Sequence, residues 1–343
     1  VNVARQYTIW VKPGVYDMGA PVQGSPPPLS LPPGITLIGG GPDSQHSQYG
    51  PATTILRGWG YEVETANEDN PPTDLAADRT VLQSLTFRPP EGETPPPDAA
   101  FFNLARGGDQ GTERWTAVTF TGCNDYAPGT PRPGGDSFVW TDPRLTFVRG
   151  DHGSAAGRSY YDVAIQGCYL VGGPKAASAA DRKDGYTAGG VVDLRVDRGY
   201  GGGVLRVVGS HLVSGSYYLP FAKDVLLTEY NTYASIYTDG IAVSVRGSTL
   251  FGGVVLRGDA ADLAPGALPD LLGGSEYVPY SDFRSSTIIA QWYYPPALQY
   301  DPGLEDEARA AVYLEGDRAG LVMSDMDLYS GAVAPGGLGD TWE

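Results

Sequence analysis

The chain carries one pattern of apolar and polar positions that returns along most of its length. Its clearest copy is VSVRGSTLFGG, Val243 to Gly253, in which alternating residues meet a Gly-Ser step and then alternate again. VAIQGCYLVGG from Val163 and LRVVGSHLVSG from Leu205 repeat it upstream, DFRSSTIIAQ from Asp282 and LVMSDMDLYSG from Leu321 downstream. Shorter forms are TVLQSLTFRP from Thr80 and RWTAVTFTGC from Arg114. Alignment on an apolar anchor selects Phe87, Phe120, Leu170, Leu212, Leu250, Ile288 and Leu328. Their spacings are 33, 50, 42, 38, 38 and 40 residues. Such a period, with variable insertions, marks a repeat architecture. Small-or-apolar, polar, apolar around each anchor is period two, which predicts a strand with one buried face. One repeat cannot bury that face alone, so equivalent strands must stack. Ser248 and Leu250 are expected inward and Thr249 outward.

Between the repeats lie excursions at residues 59–79, 89–97, 127–135, 172–190, 259–274 and 293–310, several longer than ordinary connections. Gly303 to Val312, GLEDEARAAV, is the one predicted helix, with acidic residues crowding its first turn. Strand pattern runs from about Tyr7 to Leu328 with no internal boundary, so residues 1–343 read as a single domain. Little sequence is left to cap either end, and this predicts a segment of, or partner in, a larger assembly.

Composition agrees. Gly (48) and Pro (29) are abundant, yet the apolar fraction of 41% is too high for disorder and fits short strands joined by tight turns. A net charge of −17 with four lysines argues against nucleic acid. It also disfavours anionic polysaccharides unless calcium bridges the like charges. No apolar run is long enough for a membrane span. Cys123 and Cys168 do not align in this repeat and read as buried thiols, with a disulfide as the alternative. His46, His152 and His211 are isolated, and no histidine or cysteine pair has metal-ligand spacing.

YTIWVKPGVYDM (Tyr7 to Met18), LSLPPGITLIGGG (Leu29 to Gly41) and TTILRG (Thr53 to Gly58) resemble the first coils of right-handed parallel β-helix proteins of the pectin-lyase-like superfamily. That superfamily includes pectate lyases, polygalacturonases and phage tailspikes. The resemblance covers about the first 60 residues by pattern and the remainder by repeat. It implies an all-β, right-handed parallel β-helix, a solenoid with long loop insertions. It says little about activity, because one such fold hosts many.

Two segments carry candidate chemistry. Tyr237-Thr238-Asp239-Gly240-Ile241 resembles the Asn-Thr-Asp-Gly-Ile segment of polygalacturonases, whose aspartate belongs to a hydrolytic carboxylate cluster. Here Tyr237 replaces the asparagine and no Asp-Asp pair, Gly-His-Gly or Arg-Ile-Lys follows, so a plain Asp-Gly turn is the competing reading. Asp193, Arg195 and Asp197 share the outward face of one strand. The resemblance to pectate lyases implies carboxylates holding calcium and arginine as base; the competing reading is an exposed salt-bridge ladder. Asp162 and Asp224 could join either set from neighbouring coils. Aromatic clusters are a third feature. Tyr217, Tyr218, Trp292, Tyr293 and Tyr294 follow the repeat, Trp59 and Tyr61 precede it, and Tyr160-Tyr161 lie between. Such rings suit the C–H faces of sugars, or else they cover loops packed on the stack.

These features predict a non-enzymatic extracellular, cell-surface or virion protein of the tailspike or surface-filament kind. It would contact a polysaccharide or cell-surface glycan through its flank, with no cofactor, and would assemble as a homo-oligomer or within a larger complex. One alternative is a polysaccharide lyase or glycoside hydrolase using Asp193, Arg195, Asp197 or Asp239, with calcium under the lyase form. Another is a purely structural assembly protein.

Overall fold

The structure, a computed structural model, describes residues 6–41, 53–64, 66–67, 79–90, 99–104, 113–125, 145–152, 158–172, 175–176, 190–196, 201–214, 230–231, 234–257, 281–292, 311–314 and 321–332. Every regular element among them is a β-strand. Most of the predicted helix, residues 303–310, lies outside the described residues; Val312, at its end, opens the strand Val312–Leu314. No described helix is long and apolar enough to cross a membrane.

The strands pair in a cyclic order, visiting three faces in turn. The first face runs from Tyr7–Trp10 through Ile35–Ile38, Thr80–Gln83, Glu113–Thr121 and Arg158–Gln166. It continues through Gly201–Val208 and Ile241–Arg246 to Asp282–Trp292 and Val322–Ala332. The second face begins with Gly14–Gly19, Thr54–Gly58 and Thr86–Arg88 and crosses single bridges at Asn124. It then runs through Tyr169–Gly172, His211–Ser214 and Thr249–Phe251 into the later halves of the same two long strands. The third face holds Ser30–Leu31, Tyr61–Val63, Ala100–Leu104 and Thr146–His152. Val192–Val196, Ala234–Asp239, Gly253–Arg257 and Val312–Leu314 complete it. All these pairings are parallel. Each return to a face therefore passes through the other two, as a parallel ladder requires of its crossovers. Two short antiparallel pairs stand apart: Ala66–Asn67 beside Glu113–Thr121, and Lys175–Ala176 with Tyr230–Asn231.

A one-residue corner joins the first face to the second. Gly122, Gly167, Gly209 and Gly247 hold it at φ of 57 to 59°, and Ser84, Ser285 and Asp325 adopt the same left-handed backbone at 55, 48 and 53°. Glycine does this without the Cβ penalty that the other three carry. The corner turns the next backbone N–H inward, where a side chain must receive it. Cys123 N–H donates to Cys168 Sγ at 3.3 Å and Cys168 N–H to Ser210 Oγ at 3.1 Å. Ser210 N–H donates to Ser248 Oγ at 3.2 Å and Ser248 N–H to Ser286 Oγ at 3.1 Å. The small inward position of the repeat is thus an acceptor ladder.

That ladder corrects the alignment. Cys123 and Cys168 occupy equivalent positions in successive turns of the cycle and are free, buried thiols. Burial pushes the Cys123 thiol up, whereas a hydrogen bond from Cys123 holds Cys168 lower. Phe120 belongs to the first face, between Leu82 and Ile165, and is not an anchor. The residue beside Leu170 is Asp125, because Asn124 bridges to Tyr169 and the next residue falls in the anchor column. With Asp125 as anchor the first two spacings, 87 to 125 and 125 to 170, become 38 and 45. The remaining anchors hold, with Leu170, Leu212, Leu250, Ile288 and Leu328 in one column.

Inward columns fill one continuous core. At its centre Tyr61, Phe87, Phe102, Phe120 and Phe147 contact one another with ring centroids 4.9 to 6.3 Å apart. Each such ring contributes roughly 2–3 kcal/mol by leaving water. Asp125 interrupts this interior. Its Oδ1 accepts the Val171 N–H at 2.6 Å, its Oδ2 is buried with no hydrogen-bond partner, and burial pushes its pKa well up.

Candidate functional site

Three successive third-face strands, Val192–Val196, Ala234–Asp239 and Gly253–Arg257, alternate from Val192, Ile236 and Val254 onward. Val192, Leu194, Val196, Ile236, Val254 and Leu256 point into the core, so Asp193, Arg195, Tyr237, Asp239, Val255 and Arg257 point out. Register then assembles two outward columns. Arg149, Asp193, Tyr237, Val255 and Tyr313 follow one another in the first, and Arg195, Asp239 and Arg257 in the second.

Side-chain geometry ties the columns together. Asp193 is only 1% exposed despite facing outward. Its Oδ1 accepts from Arg195 Nε at 2.7 Å and its Oδ2 from Arg195 Nη2 at 3.0 Å, while Arg149 Nη2 stands 3.8 Å from Oδ2. The Arg195 guanidinium lies 4.5 Å from the Tyr237 ring centroid, and that of Arg257 lies 5.4 Å from it. Tyr237 also packs with Ala234, Val255 and Tyr313 in an apolar cluster separate from the main core. Tyr237 and Val255 are themselves buried, so what the face offers outward is the partly exposed Arg149, Arg195, Asp239, Arg257 and Tyr313. Neighbouring members of a column are separated by the strand spacing of ~4.8 Å.

The chemistry this arrangement supports is holding rather than proton transfer. An arginine acting as base must lose a proton, yet the bidentate pair with Asp193 stabilises the charged guanidinium. Asp193 in turn commits both oxygens to that pair. Asp239 is partly exposed and lies in register between Arg195 and Arg257. Among the described residues no group of three or more His, Cys, Asp or Glu side chains is placed to hold a metal ion.

The first face carries a related arrangement on its outer side. Asp162 is buried between Arg79 and Arg206, and Arg79 also donates to Thr119 Oγ1 at 3.1 Å. Two residues before Asp162, Tyr160 stacks on Trp115 with centroids 6.2 Å apart and planes inclined by 11°. Further along, Asp282 accepts from Arg284 Nε at 2.8 Å and from Arg246 Nη2 at 3.2 Å.

Asp193, Arg195 and Asp239 thus share one outward surface, whereas Asp162 belongs to another face. Asp197, Asp224, Tyr217, Tyr218, Tyr293 and Tyr294 lie outside the described residues. Trp292 ends a strand, in register with Ala332. Trp59 and Tyr61 are corrected: both are buried in the core, where Tyr61 meets Phe87 and Phe102, so neither ring presents a face to a sugar. His211 is exposed beside Tyr169, with ring centroids 5.8 Å apart. Sequence reasoning missed Arg149, Arg257 and Trp115. A signal existed for the arginines, because Arg149, Asp193-Leu-Arg195, Tyr237-Thr-Asp239 and Val255-Leu-Arg257 align as outward positions of successive third-face strands. Compared with protein-family models, with curated proteins and with solved structures, the chain matches none.

Proposed function

We propose that the chain is a right-handed parallel β-helix of the pectin-lyase-like kind, and that the outer side of its third face binds an extended glycan at an extracellular, cell or virion surface. Three faces visited in fixed order with parallel returns support the solenoid, and the strong preference for right-handed parallel crossovers supports its hand. The observation that carries the glycan reading is the pair of outward columns, Arg149, Asp193 and Tyr237 in one and Arg195, Asp239 and Arg257 in the other. A polymer rich in hydroxyl groups meets donors and an acceptor there in the partly exposed Arg149, Arg195, Asp239 and Arg257, with the partly exposed Tyr313 beside them. Binding is favoured over turnover because Asp193 and Arg195 already satisfy each other.

One observation favours polysaccharide cleavage as a second reading: Asp193 and Asp239 sit on the same face in successive strands. A panel of polysaccharides separates the two. Retention on immobilised glycan, with no new reducing ends or unsaturated products with or without calcium, is the expected result. Retention should fall at least tenfold in Arg257→Ala. Turnover abolished by Asp239→Asn would overturn the binding reading, and retention by no member of the panel would overturn both.

A further inference from the structure

Inward columns keep their phase from one end of the stack to the other. The column that begins at Ile9 passes through Leu82, Ile165 and Phe283 and finishes at Met323. Its interior members are fully buried, but Ile9 and Met323 are 48% and 45% exposed. On the second face Leu328 ends its column 43% exposed, and Tyr16 stands in the anchor position at the opposite end. Among the described residues the stack therefore finishes in exposed apolar side chains at both ends. Among the described residues Tyr7–Trp10 pairs only with Ile35–Ile38, and Val322–Ala332 only with Asp282–Trp292.

Strand polarity decides how two copies can meet. A two-fold dimer through either edge would pair identical strands antiparallel, against the parallel ladder. A translation along the stack instead brings the last strand of one copy to the first strand of the next in parallel and in phase, a heterologous contact. Charge is mixed at such a junction: Lys12 and Asp17 are exposed on the first turn, and Asp325 and Asp327 in the last strand.

We propose that copies of this chain associate head to tail, with Val322–Ala332 of one copy adding to Tyr7–Trp10 of the next. Met323 then meets Ile9, and Leu328 meets Tyr16. Each junction buries the exposed Ile9, Met323 and Leu328 together with the partly buried Tyr16, and pairs two strand edges. The association is independent of the glycan reading.

The test uses the whole chain and two variants, Ile9→Glu, which blocks the head, and Met323→Glu, which blocks the tail. Both positions are solvent-exposed in the single copy, so circular dichroism and melting should match wild type; Leu328→Glu is the reserve tail variant. Sedimentation velocity should show wild type growing from monomer to a ladder of oligomers between micromolar and millimolar concentration. Each variant alone should stay monomeric. An equimolar mixture should give a one-to-one heterodimer and nothing larger, since one head and one tail remain usable and the doubly substituted contact is repulsive. Wild type that stays monomeric throughout overturns the proposal. So does growth by either variant alone, or a mixture that gives no heterodimer.

Discussion

Among the described residues four aspartates are buried, and they divide by which side of the wall they occupy. Asp162, Asp193 and Asp282 face outward, and each sits against two guanidinium groups. Asp125 faces inward, where the Val171 N–H donates to one oxygen, Oδ2 has no hydrogen-bond partner and, among the described residues, no guanidinium is paired with it. Burial is similar in the two settings, but the electrostatics are opposite. Outside, long arginine side chains reach over the carboxylate while keeping part of their length in water. Inside, no cation can follow the carboxylate into the core, so the carboxyl group is driven towards its neutral form. A wall of parallel strands thus tolerates acidic residues on both sides by different means.

The contrast can be broken from its strongest end first. Asp162→Ala removes the shared partner of Arg79 and Arg206 and should destabilise the fold by about 3 kcal/mol, the lower range for breaking a buried pair. Chemical denaturation reads this directly, and a loss near zero would show the cluster to be idle. Asp125→Ala leaves the Val171 N–H buried without its acceptor and should cost about 2 kcal/mol. Asp125→Asn keeps that acceptor and should instead stabilise the protein at neutral pH.

The sign of the pH effect follows from the raised pKa. An unfolded chain releases the Asp125 proton near the ordinary carboxylate value of about 3.9, whereas the folded chain retains it to higher pH. Stability therefore falls with rising pH from that value until the folded group also ionises. The advantage of Asp125→Asn over wild type should be small at pH 3 and widen above about pH 4. Parallel melting curves across that range check it, and a constant gap would refute it. The smallest effect belongs to the outer rim. Arg246 is half exposed and Arg284 also holds Asp282, so Arg246→Ala should cost under about 1 kcal/mol in the same assay.

These contrasts mark what could be read from the chain. Strand phase was legible, because alternation at Ser248-Thr249-Leu250 follows from one wet and one dry face and survives any change of loop. The register failed in one repeat for a physical reason. Asp125 fills an anchor position that its siblings fill with leucine, isoleucine or phenylalanine, so the hydrophobic pattern slid back to Phe120. Cys123 and Cys168 were misaligned by the same slip, since a thiol was weighed as a small apolar group and not as an acceptor equivalent to Ser210. On the outer surface, alternation placed Asp193 and Arg195 outward together. It could not show that Arg149 and Arg257 join them, because those contacts come from other strands and depend on register. Trp59 and Tyr61 misled for the converse reason: their sequence neighbours are polar, but the excursion they open begins inside the core.

The acceptor ladder at the corner has a consequence for how such a chain can change length. Each corner residue gives its N–H to the side chain of the next turn and lends its own side chain to the turn before. Donor and acceptor therefore travel together in one short module of sequence. A module ending in Gly-Ser, copied between two others, would answer both of its neighbours and leave no polar group stranded. Duplication and deletion of whole turns are then nearly neutral events for the fold, and the length of the stack becomes a quantity that selection can tune in single steps.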